Sequence, residues 1–197
     1  MTSLPLPDPI LRDFPDEITT ERLLIRPPRP GDGPAINAAI VESLAELQPW
    51  MPWAQPPPSV ADTETLCRRK AADWVRRDDL MLTLWRQSDG LFVGASGLRR
   101  IDWSVPRMEI GYWCRSSLSG QGYITEAVRA ITRFAFEHLG VQRLEIRCDV
   151  DNTRSAAVAR RAGYTVEAHR RNIARGVDGT LRDMLVFVRF PEGGTEG

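Results

Sequence analysis

Between Arg107 and Ala127 the chain reads R-M-E-I-G-Y-W-C-R-S-S-L-S-G-Q-G-Y-I-T-E-A, and no other stretch restricts the fold as strongly. Met108, Ile110, Tyr112 and Cys114 alternate with Glu109, Gly111 and Trp113, the period of two of a strand whose faces meet different surroundings. The alternation ends in a polar turn, Ser119-Gly120-Gln121-Gly122, where glycines lacking a Cβ let the backbone bend and let a ligand approach it. Ile124, Val128, Ile131 and Ala135 then fall on one helical face, with Glu126, Arg129 and Arg133 elsewhere on the surface. A strand, a glycine turn and a helix start together make an anion site. The first N–H groups of a helix have no internal acceptors, and the helix dipole favours negative charge there. The natural guest is a phosphate or pyrophosphate, although a plain tight turn would use the same glycines.

What the chain lacks narrows the guest. A P-loop needs a lysine beside its last glycine, and the single lysine, Lys70, is far from any glycine. A Rossmann turn wants a third glycine where Thr125 stands. With 26 basic and 26 acidic residues the formal charge is zero, so neither nucleic acid nor an anionic membrane surface is an expected partner. No apolar run approaches a membrane span and the N-terminus lacks the pattern of a signal peptide, which predicts a cytoplasmic protein. Cys67, Cys114 and Cys148 are odd in number with no C-x-x-C, as expected of reduced thiols. His138 and His169 are too few and too scattered for a zinc site, so no metal is expected.

At 197 residues and 42% hydrophobic content the chain can bury one substantial core. Residues 1–18, rich in proline, read as an N-terminal arm, 19–190 as the folded domain and 191–197 as a flexible tail. Leu23 to Arg26 reads as a strand, and Asp32 as the cap of a helix burying Ile36, Ala39 and Ile40. Leu44 to Pro58, with Trp50, Trp53 and five prolines, suits neither helix nor strand; its tryptophans either plug the core or wall an acceptor pocket. Ser59 or Asp62 caps a further helix through Arg77. Two strands, Leu80 to Arg86 and Leu91 to Asp102, flank an Asp89-Gly90 turn, with a bulge expected at Gly94 and Gly97. After the central helix come a strand at Leu144 to Val150, a helix capped by Asp151 or Asn152, and two closing strands. This order predicts a mixed α/β single domain, its sheet mostly antiparallel and flanked by helices.

The runs E-I-G-Y-W at Glu109 to Trp113, G-Q-G-Y-I-T-E-A at Gly120 to Ala127, and L-E-I-R-C-D-V-D-N-T-R-S-A-A-V-A-R-R-A-G-Y at Leu144 to Tyr164 resemble the GNAT superfamily of acyl-CoA-dependent N-acyltransferases. T-E-R-L-L-I-R-P-P-R-P-G-D from Thr20 and L-Q-P-W-M-P-W from Leu47 are similar to its Rim-type branch, which acetylates the N-termini of ribosomal proteins. The resemblance runs in order along about nine tenths of the chain. It implies a sheet splayed at the cofactor, acetyl-CoA as the acyl donor, an amine acceptor, and brings a homodimer into consideration. It also implies that Tyr112, Trp113 and Cys114 border the cofactor, that Gly120, Gln121, Gly122, Tyr123, Ile124 and Thr125 hold its pyrophosphate, and that Asn152 hydrogen-bonds the pantetheine. Trp50 and Trp53 fall on the acceptor side. The chain departs from the superfamily at Ser119, where an Arg or Gln usually leads the loop, and Arg115 or Arg154 could supply the missing contact. A second departure is Ile124.

The reaction so implied is attack of a neutral amine on a thioester. At pH 7 an α-amine of pKa near 7.7–8.0 is roughly a tenth neutral, whereas a lysine near 10.4 is neutral about once in a few thousand. Glu109 is the candidate base, directly or through water, and Ser155 the candidate hydrogen-bond donor to the departing thiolate; each also reads as an ordinary structural residue. A protein N-terminal α-amine is the leading acceptor. A small amine or antibiotic, another acyl group such as succinyl, or a CoA-binding module without turnover remain open.

Overall fold

The computed structural model describes residues 8–192. Eight strands form one sheet: β1 (Ile18–Thr19), β2 (Leu23–Arg26), β3 (Leu80–Arg86), β4 (Phe92–Asp102), β5 (Arg107–Cys114), β6 (Arg143–Asp149), β7 (Thr165–Arg175) and β8 (Leu181–Arg189). Their spatial order is β1-β2-β3-β4-β5-β6-β8-β7. Every neighbouring pair is antiparallel except β5 and β6, which run parallel. The expected mixed α/β domain is thus observed, with β1 added at the edge.

Five helices pack on the sheet: α1 (Gly33–Glu42), α2 (Leu44–Leu47), α3 (Val60–Arg76), α4 (Tyr123–Leu139) and α5 (Thr153–Arg161). Ile124, Val128, Ile131 and Ala135 of α4 are all buried against Leu23, Leu82, Leu98, Ile110 and Ile146 of the strands. Gly140, at φ 67°, ends α4 in the left-handed region that a side chain disfavours. A smaller cluster joins Ile36, Ala39 and Ile40 of α1 to Cys67, Phe92 and Ala95. Ala95 and Leu98 enter different clusters, as alternation along a strand requires.

Some local expectations change. Asp32 does not cap α1 with its side chain; its carboxylate takes both guanidinium nitrogens of the buried Arg26 at 2.8 and 2.9 Å. A bidentate charged pair outcompetes a single N–H cap. Glu64 of α3 accepts from Gly33 N instead, at 3.1 Å. Ser59 and Asp62 share the capping box of α3. Leu44 to Pro58 is less irregular than its prolines suggest, holding α2 and a 3-10 turn at Pro52–Ala54. The β4 bulge falls beside Gly94, where Leu84 pairs with Gly94 and Trp85 with Phe92, whereas Gly97 stays in register.

Within the proline-rich start, Phe14 wedges edge-on between Trp74 of α3 and Phe134 of α4, with ring centroids 5.6 and 5.8 Å apart. Residues 1–7 of that arm and 193–197 of the tail lie outside the described residues. No helix among the described residues is long and apolar enough to cross a membrane.

Candidate active site

β5 and β6 pair at only three positions, Arg107 with Arg143, Met108 with Leu144 and Glu109 with Glu145, and then diverge. Tyr112 reaches from β5 to the first turn of α5: its hydroxyl donates to the Ser155 carbonyl at 2.9 Å and accepts from the Ser155 hydroxyl at 3.1 Å. Burial pushes the Tyr112 hydroxyl up to about 12, so it stays protonated and can serve as this donor. The opening between the strands continues into a cleft of about 1260 Å3 that runs to the first turn of α4.

The cleft brings together most of the residues singled out in the sequence. Tyr112, Trp113 and Cys114 form one wall, Gly120 through Thr125 the end, and Asn152 and Ser155 the opposite wall. Trp50 borders it from the α2 side; Trp53 does not, being 46% exposed with its ring 6.2 Å from that of Trp113. Burial pushes the Cys114 thiol up to about 11, which leaves it an unreactive wall residue. Asn152 caps α5 by accepting from Ser155 N at 3.0 Å. Its Nδ2 donates to no protein acceptor among the described residues and is the atom left for a ligand carbonyl.

Glu109 lies outside the cleft lining. Its side chain is 3% exposed and meets Arg99 at 2.5 Å, with Arg100 and Arg147 each at 3.3 Å. Its oxygens are therefore committed to guanidinium groups from β4 and β6.

The glycine turn has the geometry of an anion cradle. Gly120 and Gly122 have φ of 78° and 84°, and a Cβ built on Gly120 would touch nothing within 4 Å. Among the described residues, no backbone N–H from 120 to 125 donates to a protein acceptor, while that of Glu126 closes the first bond of α4 onto Gly122 O at 3.0 Å. Arg22 holds the turn from outside: it donates to Gln121 O at 3.0 Å, to Glu126 through Nε at 2.7 Å, and lies 4.4 Å over the Tyr123 ring. Thr20 also donates to Glu126, at 2.6 Å. Glu126, expected on the open surface, is thus the anchor of the turn. Its partners are about a hundred residues away in the chain, so no local spacing announces it. On the other side Glu42 accepts from Arg115 at 2.6 Å and from Ser117 N at 3.0 Å, and these bonds lower its pKa to about 2. Arg115 is thereby engaged away from the cleft, whereas Arg154 borders it.

A family model described as an acetyltransferase (GNAT) domain matches residues 22–165, a span holding the splayed strands, the glycine turn and both cleft helices. The chain belongs to the GNAT acetyltransferase family. As a GNAT enzyme it is an acyl-CoA-dependent acetyltransferase, with acetyl-CoA as its cofactor. It is 32% identical over 172 residues to YdaF of Bacillus subtilis (strain 168), provisionally named a ribosomal N-acetyltransferase, covering 85% of this chain and 90% of that protein. A ribosomal-protein-serine acetyltransferase of Escherichia coli (strain K12) is 30% identical over 128 residues, 65% of this chain and 70% of that one. Among solved structures, RimL, a ribosomal L7/L12 alpha-N-protein acetyltransferase in complex with coenzyme A, superposes with a TM-score of 0.83. The match covers 90% of this GNAT chain and 99% of RimL at 24% identity. The residues of the cleft fit the cofactor: free N–H groups for a pyrophosphate at one end, and the unpaired end of β5 for an amide-bearing arm.

Proposed function

We propose that this enzyme transfers the acetyl group of acetyl-CoA to the α-amine of a protein N-terminus, of the kind carried by ribosomal proteins. The observation that carries the reading is that, among the described residues, no histidine or lysine borders the cleft and its two carboxylates, Glu46 and Asp151, each already hold a partner. Glu46 accepts from the Ser116 hydroxyl at 2.8 Å, and Asp151 is paired with Arg182 at 3.3 Å. His169 is bonded to Asp183 at 2.8 Å, and neither it nor His138 borders the cleft. Such a site suits an acceptor that brings its own neutral fraction, as an α-amine does and a lysine does not. The names of the relatives that span most of the chain support the same acceptor.

In this reading the backbone of Tyr112 to Cys114 pairs with the pantetheine amides, Asn152 Nδ2 donates to a pantetheine carbonyl, and the N–H groups of 120–125 hold the pyrophosphate. An N–H at the end of β5 stabilises the tetrahedral oxyanion. The Ser155 hydroxyl turns from Tyr112 to the sulfur as the thiolate departs. A leaving group of pKa near 8.5 needs only a hydrogen bond, not a full proton transfer. Trp50 borders the acceptor's approach.

Glu109 is reassigned, from base to holder of Arg99 and Arg147, because it does not border the cleft and its buried carboxylate stands among three guanidinium groups, although only Oε1 accepts a hydrogen bond. Glu109→Gln should leave the pH dependence of kcat/KM unchanged and lower stability by about 1–2 kcal/mol, a modest figure because the arginines are solvated. Loss of the acidic limb of the profile would restore it as the base. The acceptor is tested by thiol release with N-terminal peptides, N-acetylated lysine peptides, polyamines and aminoglycosides. At pH 7 the free N-terminal peptides should exceed the blocked lysine peptides by about 100-fold or more in kcat/KM. Preference for an aminoglycoside or polyamine would overturn the proposal.

A further inference from the structure

Beside the cleft lies a second hollow, a groove of about 550 Å3 between the residues joining β1 to β2 and the outer face of α4. It shares Gly122, Thr125 and Arg161 with the cleft, so the two are continuous around the first turn of α4. Four arginines and two carboxylates, Glu21 and Glu126, border the groove, leaving it a net positive charge. Arg22 is neutralised by Glu126. The other three, Arg129, Arg133 and Arg161, have no carboxylate partner among the described residues, in a chain whose arginines mostly sit against acids. Arg129 spends one nitrogen on the Arg161 carbonyl at 2.5 Å, and Arg161 reaches the Thr125 hydroxyl at 3.4 Å. Arg133 makes no such bond and is exposed.

Arg129 and Arg133 stand four residues apart on one stripe of α4, where like charges repel and cost stability unless an anion lies between them. The stripe begins at Thr125, on the turn whose free N–H groups form the first anion cradle. One further turn, about 6 Å along the helix, separates Thr125 from Arg129. Coenzyme A carries a second phosphate at a comparable remove from its pyrophosphate, a monoester on the 3′ oxygen of the same ribose.

We propose that the groove receives this 3′-phosphate, with Arg129, Arg133 and Arg161 as its ligands. The enzyme thereby distinguishes acetyl-CoA from thioesters that end at the pyrophosphate. The inference rests on the placing of the pyrophosphate at residues 120–125 proposed above. Guanidinium groups suit a monoester because their forked donors match its terminal oxygens, and a dianion between them relieves their mutual repulsion.

Calorimetric titration of coenzyme A and 3′-dephospho-CoA into the wild-type chain and into an Arg129→Gln/Arg133→Gln variant tests this. Wild type should bind coenzyme A about 10- to 100-fold more tightly than the dephospho form, the ratio shrinking as salt rises. In the variant the ratio should fall to within about threefold of unity while the dephospho affinity stays at the wild-type value. Equal wild-type affinities, or a preference surviving in the variant, would overturn the proposal and leave the pyrophosphate site standing. Equal weakening of both ligands in the variant would also overturn it, since the arginines would then be holding the helix. If neither ligand binds wild type, the pyrophosphate placement fails and this inference with it.

Discussion

Gly122→Asp is expected to weaken acetyl-CoA binding by about 100-fold or more, roughly 2.7 kcal/mol, while the protein stays folded. Gly122 is the residue from which α4 starts, and a carboxylate there would stand among N–H groups that have no other acceptor and would fill the cradle with a like charge. The fold should tolerate the change. A Cβ at this position meets only the tip of the Arg22 side chain, at 3.5 Å, and aspartate is among the residues least penalised at positive φ. A cost of about 1 kcal/mol corresponds to a fall in Tm of roughly 2–4 °C for a chain of this size. Calorimetric affinity and a melting curve measured on the same preparation check both halves. Unchanged affinity would remove the glycine turn from the cofactor site.

Gly94→Ala should do the opposite, damaging the fold first and the site as a consequence. Gly94 pairs with Leu84 on β3 and with Cys114 on β5, and a Cβ there would lie 2.2 Å from the Trp113 carbonyl oxygen and 3.1 Å from the Cys114 Cα. Both are backbone atoms of the cleft wall, so no rotamer change relieves the overlap. A loss of about 2–4 kcal/mol is expected, lowering Tm by roughly 6–12 °C. Acetyl-CoA affinity should fall as the end of β5 is pushed aside. Gly90→Ala is the control for backbone strain without overlap: unlike Gly94, Gly90 has a positive φ, 70°, but a Cβ there meets nothing within 4 Å, and about 1 kcal/mol is expected. A loss at Gly94 no larger than that at Gly90 would show that the closeness of β4 to β5 costs little.

The elements with strong periodicity were legible without coordinates. Alternation at Met108 to Cys114 and the four-residue spacing on α4 each reflect a single amphipathic face, a property written into consecutive residues. The glycine turn was legible for a similar reason, since its geometry is set by its own residues. Roles that depend on partners distant in the chain were not. Glu109 looks like any strand glutamate until Arg99, Arg100 and Arg147 close around it from β4 and β6. Asp32 looks like a cap until Arg26 appears across from it. Of two tryptophans three residues apart, only Trp50 borders the cleft, while Trp53, within the 3-10 turn at Pro52–Ala54, stays half exposed beside Trp113. The resemblance of the motifs, rather than spacing, singled out Asn152 and Ser155.

The parting of β5 from β6 leaves two strand edges inside a sheet, at residues 110–114 of one and 146–149 of the other. Exposed edges usually invite pairing with foreign chains, and proteins shield them with charge, proline or a covering element. Here the β5 edge at Tyr112 to Cys114 lines the cleft, opposite Asn152 and Ser155 at the start of α5. A thin, extended molecule with amide groups along its length suits such an edge. With the pantetheine arm placed as proposed above, the cofactor itself covers that edge, so what would be a defect elsewhere becomes a seat for a single detached strand.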